Sequence, residues 1–361
     1  MKPFIILIGD NNIANYSLIK FLAKKEFDFD EIVVVYTERT KHNINNLKSL
    51  LNKKFLEIDV EDVKGNFIKV KEKITNELLK LGNIEKLFLD FTGGLKSMSL
   101  GAYLAIDEFE LDDKNKFFSY VMYDNGKSKI ILKRGEEFDL NEHLSIEEIA
   151  KIHNIFDLNY KKENSEFFNI ENVFWLFDKL QNEEKEFFCN LWDKRELKNL
   201  DWQSSLKNYP TTIEIASNKK LQKLQKYIKG EFLEEYIFYL LNEIKDEIGI
   251  YEIAWNVTNG KGGEFEVDVI ATKNNNLYLF SCTTDKSKKI TKTKGFEAKE
   301  RATQLGGKNA KTILISCISK TKKELLKQDL AEKKGGVVPE IIVYEELIDI
   351  IKLKEKLKQI F

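Results

Sequence analysis

In the stretch EFEVDVIAT, residues 264–272, carboxylates at Glu264, Glu266 and Asp268 alternate with Phe265, Val267 and Val269. A strand has a side-chain period of two, so the acids share one face and the apolar residues the other. Carboxylates aligned this way repel one another unless a cation or ordered solvent lies between them. A Mg²⁺ or Mn²⁺ ion held by one or two of them plus water meets that need. Such an ion activates water and stabilises charge on a phosphodiester. The same alternation also suits a solvent-facing edge strand. Glu234, in Gly230-Glu231-Phe232-Leu233-Glu234, sits at the rim of an apolar helix face. From there a carboxylate can reach a shared site or stay solvated.

A second kind of chemistry belongs to residues 87–102, LFLDFTGGLKSMSLGA. An apolar run ends at Thr92-Gly93-Gly94, Lys96 follows, and Met98, Leu100 and Ala102 mark a helix. A strand that breaks at paired glycines and restarts as a helix leaves backbone N–H groups beside the positive end of the helix dipole. With the Thr92 hydroxyl and the Lys96 ammonium, that is a seat for a phosphorylated ligand. Paired glycines also serve turns that need positive φ. The loops Gly9-Asp10-Asn11-Asn12 and Thr37-Glu38-Arg39-Thr40 follow two further apolar runs. None of these is a dinucleotide fingerprint or a Walker A loop.

Composition narrows the chemistry. The 361 residues suggest two or three domains, and 58 Lys+Arg nearly cancel 59 Asp+Glu, so net charge names no polyanionic partner. From Asp285 to Lys334 basic residues outnumber acidic ones, marking either a phosphate-facing surface or a solvated lysine-rich face. Cys189, Cys282 and Cys317 make no disulfide framework or zinc pattern. Three histidines (His42, His143, His153) argue against His-ligated metal or a Ser/His/Asp triad. The start MKPFIILIGD lacks a cationic leader, and its apolar run is too short to span a bilayer, so a cytoplasmic location and no membrane partner are expected.

The elements that position these residues follow from periodicity. Short apolar runs at Phe4–Ile8, Glu31–Tyr36, Phe55–Val60 and Leu87–Phe91 alternate with helical segments, and Asp124-Asn125-Gly126 is a hairpin signal. This predicts an α/β fold whose N-terminal domain, residues 1–144, is a Rossmann-like doubly wound parallel sheet. Residues 145–217 read as a helical connector. It opens on the capping box Ser145-Ile146-Glu147-Glu148, shows no strand alternation and carries Trp175, Trp192 and Trp202. Residues 218–361 read as a C-terminal α/β sandwich. A long amphipathic helix interrupted at Gly230 is followed by three strands, a helix, a strand, a helix opened by the capping box Thr321-Lys322-Lys323-Glu324, and a last strand.

At these motifs both halves resemble one family: the CRISPR-associated ancillary nucleases that join an N-terminal CARF domain to a C-terminal PD-(D/E)XK, restriction-endonuclease-like domain. The resemblance rests on the three N-terminal loops, TGGLKSM above all. In the second half it rests on GEFLE, Glu266-Val267-Asp268-Val269, Ser281-Cys282 and Leu305-Gly306-Gly307-Lys308. It implies activation by a cyclic oligoadenylate, usually cyclic tetra-adenylate, in type III CRISPR antiviral defence. It places that ligand against Gly9, Asp10, Asn11, Asn12, Thr37, Arg39, Thr92, Gly93, Gly94, Lys96 and Met98. It also implies a homodimer in which each subunit offers the same loops across a two-fold axis. In the nuclease half it makes Glu234, Glu266 and Asp268 site residues, with Glu266 and Asp268 on Mg²⁺ or Mn²⁺ and DNA or RNA as substrate.

One position departs from the family pattern. Where a lysine is expected directly after Ser281-Cys282, this chain has Thr283. That ammonium positions water and stabilises developing charge. Lys286 just past the strand, or Glu297-Ala298-Lys299 on the next helix, are the candidate replacements. Glu297 and Lys299 lie about 200° apart around a helix, so only one of them enters the site. The alternative is a catalytically impaired, ligand-gated nucleic-acid binder on the same fold.

Overall fold

The computed structural model describes the chain apart from residues 26–28, 125–126, 133–135, 141, 182–217, 261–265 and 332–337. Cys189, Trp192, Trp202, Glu264 and the Asn125-Gly126 turn therefore lie outside the described residues. Two compact units emerge. The first comprises Met1–Phe156 with Asn274–Asn276 and Leu305–Gly307, and the second Asp157–Lys273, Leu277–Gln304 and Lys308–Phe361.

In the first unit, β1 (Pro3–Leu7), β2 (Glu31–Tyr36), β3 (Lys54–Asp59), β4 (Leu87–Asp90), β5 (Lys116–Asp124), β6 (Lys127–Leu132) and β7 (Glu137–Asp139) form one sheet of order β3-β2-β1-β4-β5-β6-β7. The pairings from β3 to β5 are parallel, and β6 and β7 continue antiparallel. The near-continuous apolar runs of β1 and β2 are explained by burial on both faces. On one face Ile5, Leu7, Val33, Val35 and Leu89 pack with α3 (Phe67–Lys80) and α4 (Lys96–Asp107) through Val70, Ile74, Met98, Ala102 and Ala105. Helices α1 (Ile13–Lys24), α2 (His42–Leu50) and α5 (Ile146–Ile152) complete the unit. The Ser145 capping box forms as expected, with Ser145 Oγ accepting from Glu148 N at 3.1 Å and Glu148 Oε2 from Ser145 N at 2.8 Å. Strand order reverses between β1 and β4, so the loops following them flank the crevice where open α/β sheets hold ligands.

The second unit has a sheet of order β13-β12-β11-β10-β9-β8. Its strands are β8 (Leu158–Lys161), β9 (Glu252–Asn259), β10 (Glu266–Lys273), β11 (Asn276–Thr283), β12 (Lys311–Ser316) and β13 (Glu340–Ile342). The helices are α6 (Ile170–Gln181), α7 (Asn218–Lys226), α8 (Phe232–Ile248), α9 (Lys288–Gly306), α10 (Lys320–Ala331), α11 (Tyr344–Leu347) and α12 (Ile350–Ile360). The expected break at Gly230 is real: α7 passes into α8 through a wide turn, Tyr227–Glu231, where Gly230 leaves helical angles. Phe232, Tyr236, Leu240 and Leu241 of α8 pack on Trp255, Val269, Tyr278 and Phe280. Leu314, Ile318, Leu326, Leu330 and Ile341 form the core on the opposite side.

The stretch read as a helical connector divides differently. Its start, α5, lies in the first unit, while β8 and α6 lie in the second. Strand β8 was not anticipated; it pairs with β9 at the sheet's edge with a bulge at Asn159/Lys161. Helix α10 starts at Lys320, so the residue before it is Ser319 rather than the Thr321 of the expected capping box.

Candidate functional site

Around the switch point of the first sheet, two backbones lie almost in contact. A Cβ built on Gly93 would stand 2.1 Å from Leu7 O, and one on Gly94, whose φ is +76°, 2.9 Å from Leu7 Cβ. The paired glycines thus let the turn after β4 press against the end of β1. Asp90 holds the turn from below: its Oδ1 accepts from Thr92 N at 3.0 Å and its Oδ2 from Ser119 Oγ at 3.0 Å. Burial pushes this carboxyl up to about 6, against the pull of those donors. Thr92 Oγ1 accepts from Val121 N at 2.7 Å, which ties the turn to β5. The Thr92 amide and one hydroxyl lone pair are therefore already engaged.

The loop after β1 is held by asparagines. Gly9 O accepts from Asn12 Nδ2 at 3.1 Å and from Asn43 Nδ2 at 2.9 Å, and Asn15 Nδ2 donates to Leu7 O at 3.0 Å. Asn11 Oδ1 accepts from Ile13 N, the first amide of α1, at 3.0 Å. Thr37 and Thr40 bond reciprocally at the start of a short 3-10 turn. Arg39 crosses to Asp10 at 3.1 Å with both side chains largely exposed, a pair worth little to stability.

The structure therefore sorts the eleven residues expected at the ligand. Gly94, Lys96, Asp10 and Arg39 are exposed, and Gly9, Asn11, Thr92 and Gly93 are partly so. Asn12, Thr37 and Met98 are buried; Met98 belongs to the core under Gly94 and cannot offer its side chain to a ligand from there. Helix α4 begins at Lys96 with no side-chain cap from Leu95 and no acidic residue in its first turn. Its first amides and the Lys96 ammonium suit an anion. Asn15, Asn43 and Asp90 were missed by the sequence reading. Asn15 was nevertheless legible three residues after Asn12, on the same helical face.

The second candidate site is a cavity of about 310 Å³ lined by Glu266, Asp268 and Ser281 from β10 and β11, and by Lys294, Glu297 and Arg301 from α9. Glu266 and Asp268 project from one face of β10 as the alternation predicts. Asp268 is buried, and its Oδ2 accepts from Cys282 N at 2.6 Å. Burial raises the Asp268 carboxyl and the Lys294 charge opposes that shift; the Cys282 amide and the Ser281 hydroxyl also hold it down, while Glu266 pushes it up. Glu234, from the first turn of α8, is pushed well above the usual carboxylate range, first by burial and then by the charge on Asp268. Its Oε2 is closed off from solvent and has no hydrogen-bond partner among the described residues. A carboxylate oxygen left bare beside another acid is what an incoming cation or a shared proton would satisfy.

Neither expected replacement lysine lies here. Lys286 Nζ donates to Leu180 O at 2.5 Å, and Lys299 lines a separate cavity with Lys308, Lys311 and Lys356. Of the helical pair Glu297 and Lys299, it is Glu297 that enters. Lys294 is the lysine that the sequence reading missed. Its signal was the spacing Lys294, Glu297, Ala298, Arg301, which is one face of a helix.

The sequence finds no match among curated proteins. Among solved structures, Can2 from Sulfobacillus thermosulfidooxidans, in complex with cyclic tetra-adenylate, aligns over 99% of both chains with TM-score 0.70 and 16% identity. Protein VC1899 from Vibrio cholerae aligns over 100% of this chain and 98% of its own, with TM-score 0.70 and 16% identity. A type III CRISPR defence DNA nuclease activated by cyclic oligoadenylate gives TM-score 0.51 and 13% identity over 87% of this chain and 45% of its own. The fold is shared with these proteins along nearly the whole chain. Within it, residues 4–149, most of the first unit, match the family model of the Card1 CARF domain.

Proposed function

We propose that this chain is a cyclic-oligoadenylate-gated nuclease of type III CRISPR defence. The carrying observation is the pairing, in one chain, of a match to the Card1 CARF domain with a cavity that gathers Glu266 and Asp268 beside the bare oxygen of Glu234. In this reading, cyclic tetra-adenylate rests on the exposed Gly94–Lys96 end of the turn, with Asp10, Asn11 and Arg39 on the neighbouring loops. Two copies share one ligand across a two-fold axis. Gating requires the ligand to bind the active and inactive states with different affinity.

Among the described residues no three His, Cys, Asp or Glu side chains are already gathered to hold an ion. Glu266 and Asp268 completed by water are the donor set that fits, and hard oxygen donors of this kind suit Mg²⁺ or Mn²⁺. Once bound, that ion supplies an activated water and charge stabilisation on a phosphodiester. Asp268 is oriented for the task by Cys282 N and Ser281, and Glu234 on α8, its carboxyl raised by burial and by Asp268, is a further oxygen donor once a bound cation displaces its proton.

The test is cleavage of plasmid and of single-stranded DNA and RNA with Mg²⁺ or Mn²⁺, with and without cyclic tetra-adenylate. Ligand-dependent cleavage that Asp268→Ala abolishes is expected. Absence of product from every substrate with the ligand bound overturns the nuclease reading. Salt-sensitive nucleic-acid binding that rises with ligand would then favour the regulator, whose support is Thr283 in the lysine's place.

A further inference from the structure

We infer that Lys294, on the helix after the acidic strands, supplies the ammonium that Thr283 lacks and reaches the scissile phosphate from the opposite wall of the cavity. The inference rests on the nuclease reading above and adds to it a residue and a role.

Thr283 cannot serve. Its hydroxyl accepts from Asp285 N at 3.2 Å, turning the chain out of β11. Lys286 is spent on Leu180 O, and Lys299 opens into the other cavity. Lys294 stands on the α9 wall opposite Asp268 and Ser281. Three neighbouring groups feel its charge: Asp268, Glu234 and Cys282. Arg301 lines the same cavity, and of the two only Lys294 carries an ammonium, the group expected after Ser281-Cys282. Geometry also allows the approach, because Ala298 stands one turn on from Lys294 along the same wall and is buried without bulk.

An ammonium lining the same cavity as Glu266 and Asp268 does what the strand lysine would do. As water attacks, its oxygen bonds to phosphorus and its proton passes to solvent. The bond from phosphorus to the leaving oxygen breaks with its electron pair on that oxygen, which takes a proton from solvent. Negative charge grows meanwhile on the non-bridging oxygens, and a preorganised cation stabilises it most at that moment. Moving the lysine from strand to helix preserves the charge while changing the backbone that carries it.

The experiment uses the full-length protein with cyclic tetra-adenylate and Mn²⁺. Lys294→Ala is expected to lower kcat by ~100-fold or more. Substrate affinity measured with Ca²⁺, cyclic tetra-adenylate affinity and the melting curve should all be retained. Thr283→Lys combined with Lys294→Ala is expected to regain much of the lost rate by restoring the strand lysine, and this variant also covers the case in which removing the cation alone disturbs folding. Wild-type cleavage that Lys294→Ala leaves unchanged overturns this inference and leaves the nuclease reading standing. Failure of wild type and of Thr283→Lys alike to cleave overturns both.

Discussion

The tightest contact in the first unit makes Gly93→Ala its most exposed prediction. A methyl group there would lie 2.1 Å from Leu7 O and 3.2 Å from Leu7 C. Both obstacles are backbone at the end of a central strand whose neighbours are β2 and β4, so no side chain can rotate away. The turn must move outward by more than an ångström, which would break the Thr92 N–Asp90 and Val121 N–Thr92 hydrogen bonds that fix it. Overpacking with backbone displacement costs about 3 kcal/mol. For a unit of this size that corresponds to a fall of about 6–12 °C in Tm. Gly65→Ala is the matched control, since nothing lies within 4 Å of the added carbon. Calorimetry on the three proteins, with titration of cyclic tetra-adenylate into each, separates the effects: Gly93→Ala should lose stability and ligand affinity together, Gly65→Ala neither. A Gly93→Ala protein that melts and binds like wild type would refute the close-packed turn as the basis of the seat.

Three further predictions concern the carboxylates. Asp268→Asn should lower metal-dependent cleavage by ~100-fold or more with little change in melting, because an amide oxygen can still accept from Cys282 N; unchanged turnover would remove Asp268 from the site. Glu234→Gln mimics the protonated acid that burial and Asp268 favour, so its Tm in the absence of divalent ions should match or exceed that of wild type, and a clear loss would contradict the raised carboxyl. The Asp90 carboxyl, raised from 3.8 to about 6, binds its proton more tightly folded than unfolded. Stability therefore falls as pH rises from about 4 through about 6, by up to about 3 kcal/mol. Asp90→Asn should flatten that slope in urea unfolding at successive pH values, and an equal slope in both proteins would exclude Asp90 as its source.

How much of this was legible in the sequence depends on whether one residue's neighbours are set by local periodicity or by the fold. Strands β1, β2 and β4 announce themselves because burial on both faces demands continuous apolar runs, and Glu266 and Asp268 share a face by strand period alone. Strand β8 was hidden because LNYK lies at a sheet edge, where hydrogen bonding to β9 rather than apolar burial makes the strand. The burial of Met98 was hidden for a related reason. Its place in TGGLKSM follows an exposed turn, yet four residues on from Gly94 the helix has already rotated it beneath the turn and into the core.

Lys294 shows where a motif misleads. A search keyed to a lysine at the end of the strand, or to an acid followed two residues later by lysine, inspects Lys286 just past β11 and Lys299 after Glu297, because the pattern was defined along a strand. A helix presents cavity residues at three, four and seven positions instead, and Lys294, Glu297, Ala298 and Arg301 satisfy that spacing. What the chemistry requires is a positive charge near Asp268, not a lysine at a given offset. The physical question was which cation the helix face after β11 turns toward the acids. Asked that way, sequence spacing offers Lys294 and Arg301 together. Of the two, only Lys294 carries the ammonium that the strand pattern asks for, and α9 brings it to the cavity that Asp268 lines.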